Sequence, residues 1–304
     1  MKKVLVTGAA GCIGTQVIKY LLAEGKYEIT ALDLKNKTVF RRLKRFKKRI
    51  NILYGDIGDR VLIEALIKSH DIVIHLASAL PPLSDMKKGL AEIVEYDNTE
   101  NIIRAISYYN PKCHLIYAST TSLYKEKENV TVKTKIELND YDYFSLAKLK
   151  TEHLIKEKLK NYTIYRIPLV LGYMDEDAFM YHIKKSSVVD VVTKEDAAYA
   201  FVKGIKYLDK LNRKTFNVTS EEPILFNDLL INILKIRGLS WNYVLSRLFL
   251  EKNYYSPVCK DRDELDCIIH YRNDSLIEYF NRLKRRKQKR RFAKFLAKPF
   301  IRNK

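Results

Sequence analysis

Three glycines spaced three apart, Gly8, Gly11 and Gly14, follow the apolar run Val4 Leu5 Val6 and mark the first place where this chain could do chemistry. The stretch Thr7 Gly8 Ala9 Ala10 Gly11 Cys12 Ile13 Gly14 reads as a strand end, a loop and a helix start. Glycines there let the backbone turn tightly, approach a pyrophosphate and pack the helix on the sheet, while the helix N-terminus offers unpaired N–H groups to the anion. Val17, Ile18, Leu21 and Leu22 keep helical periodicity and Gly25 can end it. The next predicted strand, Tyr27 to Leu34, carries Asp33 to about 20 positions beyond the loop, where a carboxylate can bind an adenosine ribose 2′-OH. That pattern predicts a dinucleotide, and NAD before NADP, whose extra phosphate the acid would repel; Arg41 and Arg42 leave that choice open. Gly8, Ala10, Gly11, Cys12, Ile13, Gly14 and Asp33 are the expected cofactor contacts of this part. No metal is expected, because Cys12, Cys113, Cys259, Cys267 and the six histidines show no ligand spacing.

The elements that must hold these groups alternate. Asn51–Tyr54 reads as a third strand, Arg60–Lys68 as a helix, Asp71–Ala77 as a fourth strand, Met86 to Tyr109 as helical, and Lys112–Ala118 as a fifth strand. The fifth strand runs into Ser119 Thr120 Thr121 Ser122 Leu123 Tyr124; a helix from Tyr143 to Lys160 and a sixth strand from Thr163 to Leu171 follow. Alternation of this kind predicts an α/β, doubly wound, mostly parallel sheet with ligands at the strand carboxyl ends. Beyond Gly172 the order weakens: Asp190–Lys206 and Phe226–Ile236 read as helices and Thr215–Val218 as a strand. The expected division is 1–172 for the cofactor, 173–280 for a smaller substrate-facing part with segments returning to the core, and 281–304 as a basic amphipathic tail. With 47% hydrophobic and 30% charged residues and no apolar stretch near the ~18 residues of a membrane span, a cytoplasmic protein is predicted.

In order along the chain, these motifs resemble the extended short-chain dehydrogenase/reductase family, in particular its NAD-dependent epimerase/dehydratase branch acting on nucleotide sugars. Residues 7–14 are similar to its TGxxGxxG loop, Asp33 to the ribose acid, Gly55 Asp56 to the turn near adenine, and His75 Leu76 Ala77 Ser78 to the HLAA segment under the cofactor. The resemblance implies a Rossmann fold, NAD, a nucleotide-activated or lipid-linked sugar, and further cofactor contacts at Asp56, Ile57, Leu76, Ala77, Ser78, Lys148 and Ile167. Tyr117 Ala118 Ser119 Thr120 with Tyr124 resembles the strand carrying the catalytic hydroxyl, here Thr120, although such a cluster also makes turns unaided. Arg166 and Pro168 resemble the RxP element, and Glu195 Asp196 Ala197 the later xDxA element. The helices near Leu90–Tyr109 and Tyr143–Lys160 form a dimer bundle in related proteins, which implies a homodimer here.

Three departures bear on catalysis. Lys148 fits the lysine of the YxxxK pair, but the residue four before it is Phe144, which has no proton to exchange. Tyr143 lies about 140° round the helix from Lys148, and Tyr141 sits before the helix, so neither is a direct replacement without a π-bulge near Ser145. Glu95 Tyr96 Asp97 Asn98 Thr99 Glu100 Asn101 stands where the family reads NxxGTxN, and the stretch between Gly172 and Ser187 is short. The catalytic candidates are Thr120, Lys148 and Tyr143; Lys148 could instead form a surface pair with Glu152. Two readings remain: an oxidoreductase with an altered proton relay, or a redox-inactive NAD-binding interaction protein.

From Asn281 to Lys304 there are twelve Lys or Arg and no acid, more than half of the net charge of +20. Phe292, Phe295 and Leu296 share one helical face before Pro299. Residues 282–304 are therefore expected at an anionic membrane surface, with the protein peripheral to the inner face; nucleic acid is less favoured for want of a motif, and a solvated tail is the plain alternative.

Overall fold

The computed structural model describes residues 1–81, 84, 89–125, 127–138, 140, 142–172, 183–238 and 257–301. Its frame is set by seven apolar strand segments: β1 (Lys2–Thr7), β2 (Tyr27–Asp33), β3 (Asn51–Tyr54), β4 (Ile72–His75), β5 (His114–Thr120), β6 (Tyr162–Ile167) and β10 (Lys214–Asn217). All neighbouring pairs are parallel, in the order β3-β2-β1-β4-β5-β6-β10. Parallel strands require crossovers, and these are helices on both faces. On one face α1 (Cys12–Glu24) and α6 (Lys194–Gly204) pack on Val4, Val6, Ile72, Ile74 and Tyr165. On the other, α3 (Arg60–Lys68), α4 (Asn98–Tyr109) and α5 (Tyr143–Lys158) cover Leu5, Val73, Leu115, Tyr117 and Ile164. Strand order reverses between β1 and β4, which opens a crevice at their carboxyl ends.

Local chemistry starts and stops these helices. Asn36 accepts from Val39 N–H to cap α2 (Lys37–Leu43), Asp59 accepts from Leu62 N–H, and Thr193 accepts from Asp196 N–H. Gly25 ends α1 in the left-handed region at φ 68°. Between Glu92 and Asp97 the backbone forms a π-helical turn before α4 begins. The π geometry thus lies on the element preceding α4 and not near Ser145, where α5 is regularly α-helical.

Several expected boundaries change. The sixth strand stops at Ile167 because Pro168 cannot donate to a ladder; Leu169–Leu171 then forms β7, paired with β9 (Val191–Thr193) in a separate small sheet. Asp190–Lys206 is not one helix, since β-branched Val191, Val192 and Thr193 extend before α6. β8 (Val188–Val189) pairs with β11 (Ile224–Leu225), and α7 (Phe226–Arg237) follows. A third apolar cluster joins Leu171, Val189, Phe226 and Leu229 to Tyr279, Phe280 and Leu283. After the short α8 (Glu264–Ile269), α9 runs from Leu276 to Ile301, so the expected tail begins inside a helix whose first turns are packed. Most of the short stretch after Gly172, together with Tyr141, lies outside the described residues.

Candidate active site

The glycine loop closes on itself at the mouth of the crevice. Gly11 N–H donates to the Gly8 carbonyl at 2.9 Å, and α1 starts at Cys12 with no side chain capping it. Its first N–H groups, beside the crevice at the end of β1, are therefore not taken up by a capping side chain, as an anion site requires. Gly8 has φ +63°, and a Cβ there would lie 2.6 Å from Ala77 N; one on Gly14 would lie 2.4 Å from the Gly8 carbonyl oxygen. Only glycine fits at either position. The Asp33 carboxylate, at the end of β2, accepts from Ala10 N–H at 2.8 Å and from Leu34 N–H at 2.8 Å, while Arg42 donates to the Ala10 carbonyl. Asp56 accepts from Gly58 N–H, which closes the turn before α3, and Ile57 is buried. Cys12 Sγ packs on the backbone of Gly172, whose carbonyl accepts from Tyr279 Oη at 3.3 Å.

Next along the sheet, β4 delivers His75, Leu76, Ala77 and Ser78. His75 is fully inside: Nδ1 meets Thr7 Oγ1 at 2.6 Å and Nε2 meets Thr99 Oγ1 at 2.9 Å. With both ring nitrogens engaged and burial, aided by the Lys148 charge, pulling its pKa down to about 3, His75 is a neutral strut between strand and helix. Leu76 and Ala77 N–H point at Thr7 Oγ1. Ser78 donates to Glu95 at 2.7 Å.

The hydroxyl and amine candidates meet where β5 ends against α5. Thr120 Oγ1 lies 2.9 Å from Ser122 Oγ, which lies 3.0 Å from Ser145 Oγ, a chain of three hydroxyls. Thr120 also accepts from Ser122 N–H, the turn contact that such a cluster makes unaided. Ile167, the last residue of β6, pairs with Thr120 in the sheet. Lys148 does not pair with Glu152. Its ammonium lies 2.8 Å from Glu95 Oε2 and donates to the Ala118 carbonyl at 2.8 Å, with the Tyr117 ring centre 4.7 Å away and that of Phe144 5.8 Å away. Side-chain exposure is 3% for Lys148 and 1% for Glu95. Burial alone would lower the Lys148 pKa, but the Glu95 carboxylate and the Tyr117 hydroxyl hold it up at about 12, so it is an ammonium. Phe144 is buried beside it, and Tyr143, 41% exposed at the first turn of α5, is not brought to the cluster.

Glu152 turns instead to Arg166, which donates from Nε at 2.9 Å and Nη2 at 2.6 Å, and it accepts from Ser119 at 2.7 Å. Burial works to raise the Glu152 pKa, and the Arg166 contacts override it and hold it low. Arg166 also donates to Tyr124 Oη, which donates to Asn217. Two residues that sequence reasoning missed thus enter the site: Ser145, three before Lys148 on the same helix, and Glu95, noticed as a departure but not as a partner of Lys148.

Residues 4–206 match the model of a family described as NAD dependent epimerase/dehydratase. A UDP-N-acetyl-α-D-glucosaminuronate decarboxylase of Bacillus cytotoxicus is 32% identical over 125 residues, 40% of this chain and 38% of that protein. A UDP-glucose 4-epimerase of Yersinia enterocolitica is 27% identical over 165 residues, 51% of this chain and 48% of that protein. The matched stretch thus spans less than half the length of either curated relative. Among solved structures, a tyrosine-to-phenylalanine variant of UDP-glucuronic acid 4-epimerase from Bacillus cereus, in complex with UDP-4-deoxy-4-fluoro-glucuronic acid and NAD, superposes with a TM-score of 0.79 at 20% identity, covering 94% of this chain and 99% of that one.

Proposed function

The chain belongs to the NAD-dependent epimerase/dehydratase family, and on that footing we propose that it is an oxidoreductase that binds NAD in the β1–β4 crevice and acts on a nucleotide-activated or lipid-linked sugar. The observation that carries this reading is the glycine loop: Gly8 and Gly14 fit only as glycines, and the α1 N-terminus that follows the loop has no side-chain cap. Gly8, Ala10, Gly11, Cys12, Ile13 and Gly14 would hold the pyrophosphate, Asp33 the adenosine ribose, and Leu76, Ala77, Ser78 and Ile167 the floor. NAD, when bound, supplies a hydride acceptor for a sugar carbon. Thr120 would hydrogen-bond the sugar hydroxyl and, as it received that proton, would pass its own along Ser122 and Ser145 to water. Hydroxyls are poor bases, and a missing positioned acid or base typically costs about 10²–10⁴-fold, so turnover is slow.

A second reading, a redox-inactive NAD-binding protein, is favoured by one observation: Phe144 occupies the proton-transfer position beside an ammonium already claimed by Glu95. A calorimetric NAD titration run beside the near-ultraviolet absorbance of NADH, with a panel of nucleotide sugars, separates the two. Reduction with any sugar supports the enzyme; NAD binding without reduction across the panel supports the second reading; no NAD binding ends both.

In the same reading the basic helix α9 lies on an anionic membrane surface at the cytoplasmic side, and a second copy of the chain docks on α4 and α5, where Tyr108 is exposed. Among the described residues no helix is long and apolar enough to cross a membrane.

A further inference from the structure

Two of the chain's unusual residues, Glu95 and Phe144, converge on one ammonium. Phe144 precedes Lys148 by one turn of α5 and offers it only a ring face. Glu95 arrives from a different element, the π-helical turn Glu92–Asp97, and its carboxylate is used on both oxygens: Oε1 accepts from Ser78 Oγ and Ala79 N–H, each at 2.7 Å, and Oε2 meets Lys148 Nζ at 2.8 Å. The backbone is fastened as well, since Thr151 of α5 donates to the Glu95 carbonyl at 2.7 Å. A buried carboxylate held by two hydrogen bonds on one oxygen and an ion pair on the other, with its own backbone fastened too, is a built feature, because a charge out of water persists only where it is paired.

The place of this pair follows from topology. A dinucleotide lies across the crevice where strand order reverses; the ribose acid Asp33 ends β2, so the adenosine half lies over β1, β2 and β3. The other half then runs over the ends of β4, β5 and β6, where Ser78, Thr120 and Ala118 stand and where Lys148 is tied to Ala118. An oxidised nicotinamide ring carries a positive charge and a reduced one carries none. A buried lysine beside that half with no counter-ion would therefore favour the reduced form. Glu152, the buried acid of α5 itself, is already claimed by Arg166, so Glu95 decides the field from Lys148.

We propose that Glu95 is a positioning residue that cancels the Lys148 charge beneath the nicotinamide half of the site, so that this protein holds oxidised NAD at least as tightly as NADH. This rests on the NAD reading above, and it concerns which redox form the protein keeps rather than whether it turns over.

The test is calorimetric titration of the full chain with NAD and, separately, with NADH. Wild type binds NAD at least as tightly as NADH. In Glu95→Gln the ratio of the two dissociation constants shifts toward NADH by about tenfold, the size expected for one charge several ångströms from the ring under near-aqueous screening. Removing Lys148 as well, in Glu95→Gln with Lys148→Met, returns the ratio to that of wild type. A merely structural Glu95 would weaken both ligands together and leave the ratio unchanged; a ratio within twofold of wild type in Glu95→Gln overturns the proposal. Glu95→Asn, whose shorter amide leaves room for water at the ammonium, serves if the Gln variant does not fold. Tighter binding of NADH than of NAD by wild type also overturns it, with no variant needed. Failure of wild type to bind either form would instead overturn the NAD reading on which the proposal stands.

Discussion

At Gly8 a single methyl group has nowhere to go. Its φ of +63° disfavours any side chain, and the added carbon would sit 2.6 Å from the backbone of Ala77, which cannot move without disturbing β4. Gly8→Ala should lose about 2–4 kcal/mol of stability, read by chemical denaturation, and its NAD affinity should fall with it in the same calorimetric titration. Residues of this kind were legible from sequence alone, because a steric requirement acts within a few positions of its cause. The partner of Lys148 was not. Helical spacing correctly put Phe144 and Lys148 on one face of α5, yet it also offered Glu152 as the neighbour, one turn on. That Lys148 goes to Glu95 and Glu152 to Arg166 is decided by tertiary contact, which no local pattern encodes.

At the scale of elements, α5 is the keystone of the candidate site. Ser145 reaches Ser122, Lys148 reaches Ala118 and Glu95, Thr151 reaches Glu95, and Glu152 reaches Ser119 and Arg166, so one face of one helix fastens β5, β6 and the π-helical turn. α9 is different in kind. Its first turns belong to the core: Tyr279, Phe280 and Leu283 join the third cluster, and Arg282 pairs with Asp274 and faces Glu195. A basic tail beginning at residue 281 would therefore be cut in the wrong place. Truncation after Gln288 spares these contacts and still removes seven of the twelve basic residues. The shortened protein should lose co-sedimentation with vesicles containing phosphatidylglycerol, retain NAD affinity, and show less salt sensitivity; undiminished sedimentation would remove the membrane surface from its partners. The strand and helix order was legible because alternation survives local error, whereas the break at Pro168 was hidden inside an apolar run that reads equally well as one strand.

Over the whole molecule, buried titratable groups set an acid limit. Burial, with the Lys148 charge adding to it, depresses the His75 pKa from 6.5 to about 3 in the folded state, and burial depresses His114 from 6.5 to about 4. A depressed histidine contributes its full stability above the unfolded value and loses it as the pH falls, so each should cost about 1.4 kcal/mol per pH unit below 6.5 until its folded pKa is reached. Asp196 runs the opposite way: burial raises it from 3.8 to about 7, so its carboxyl favours the fold at low pH and loses that advantage as the pH rises through this window. His75→Gln isolates the first effect. Denaturation curves from pH 7 to pH 4.5 should show the variant losing less stability than wild type over that interval, even if it starts lower for want of the Thr7 and Thr99 contacts. One contact made at the foot of α9 has a mechanical meaning. Tyr279 holds the Gly172 carbonyl, and Gly172 lies against Cys12 at the start of α1. A helix of 26 residues, roughly 39 Å long at 1.5 Å per residue, is thus a lever whose fulcrum adjoins the glycine loop; a torque on its far end reaches that loop through two contacts, before it has to be borne by the sheet.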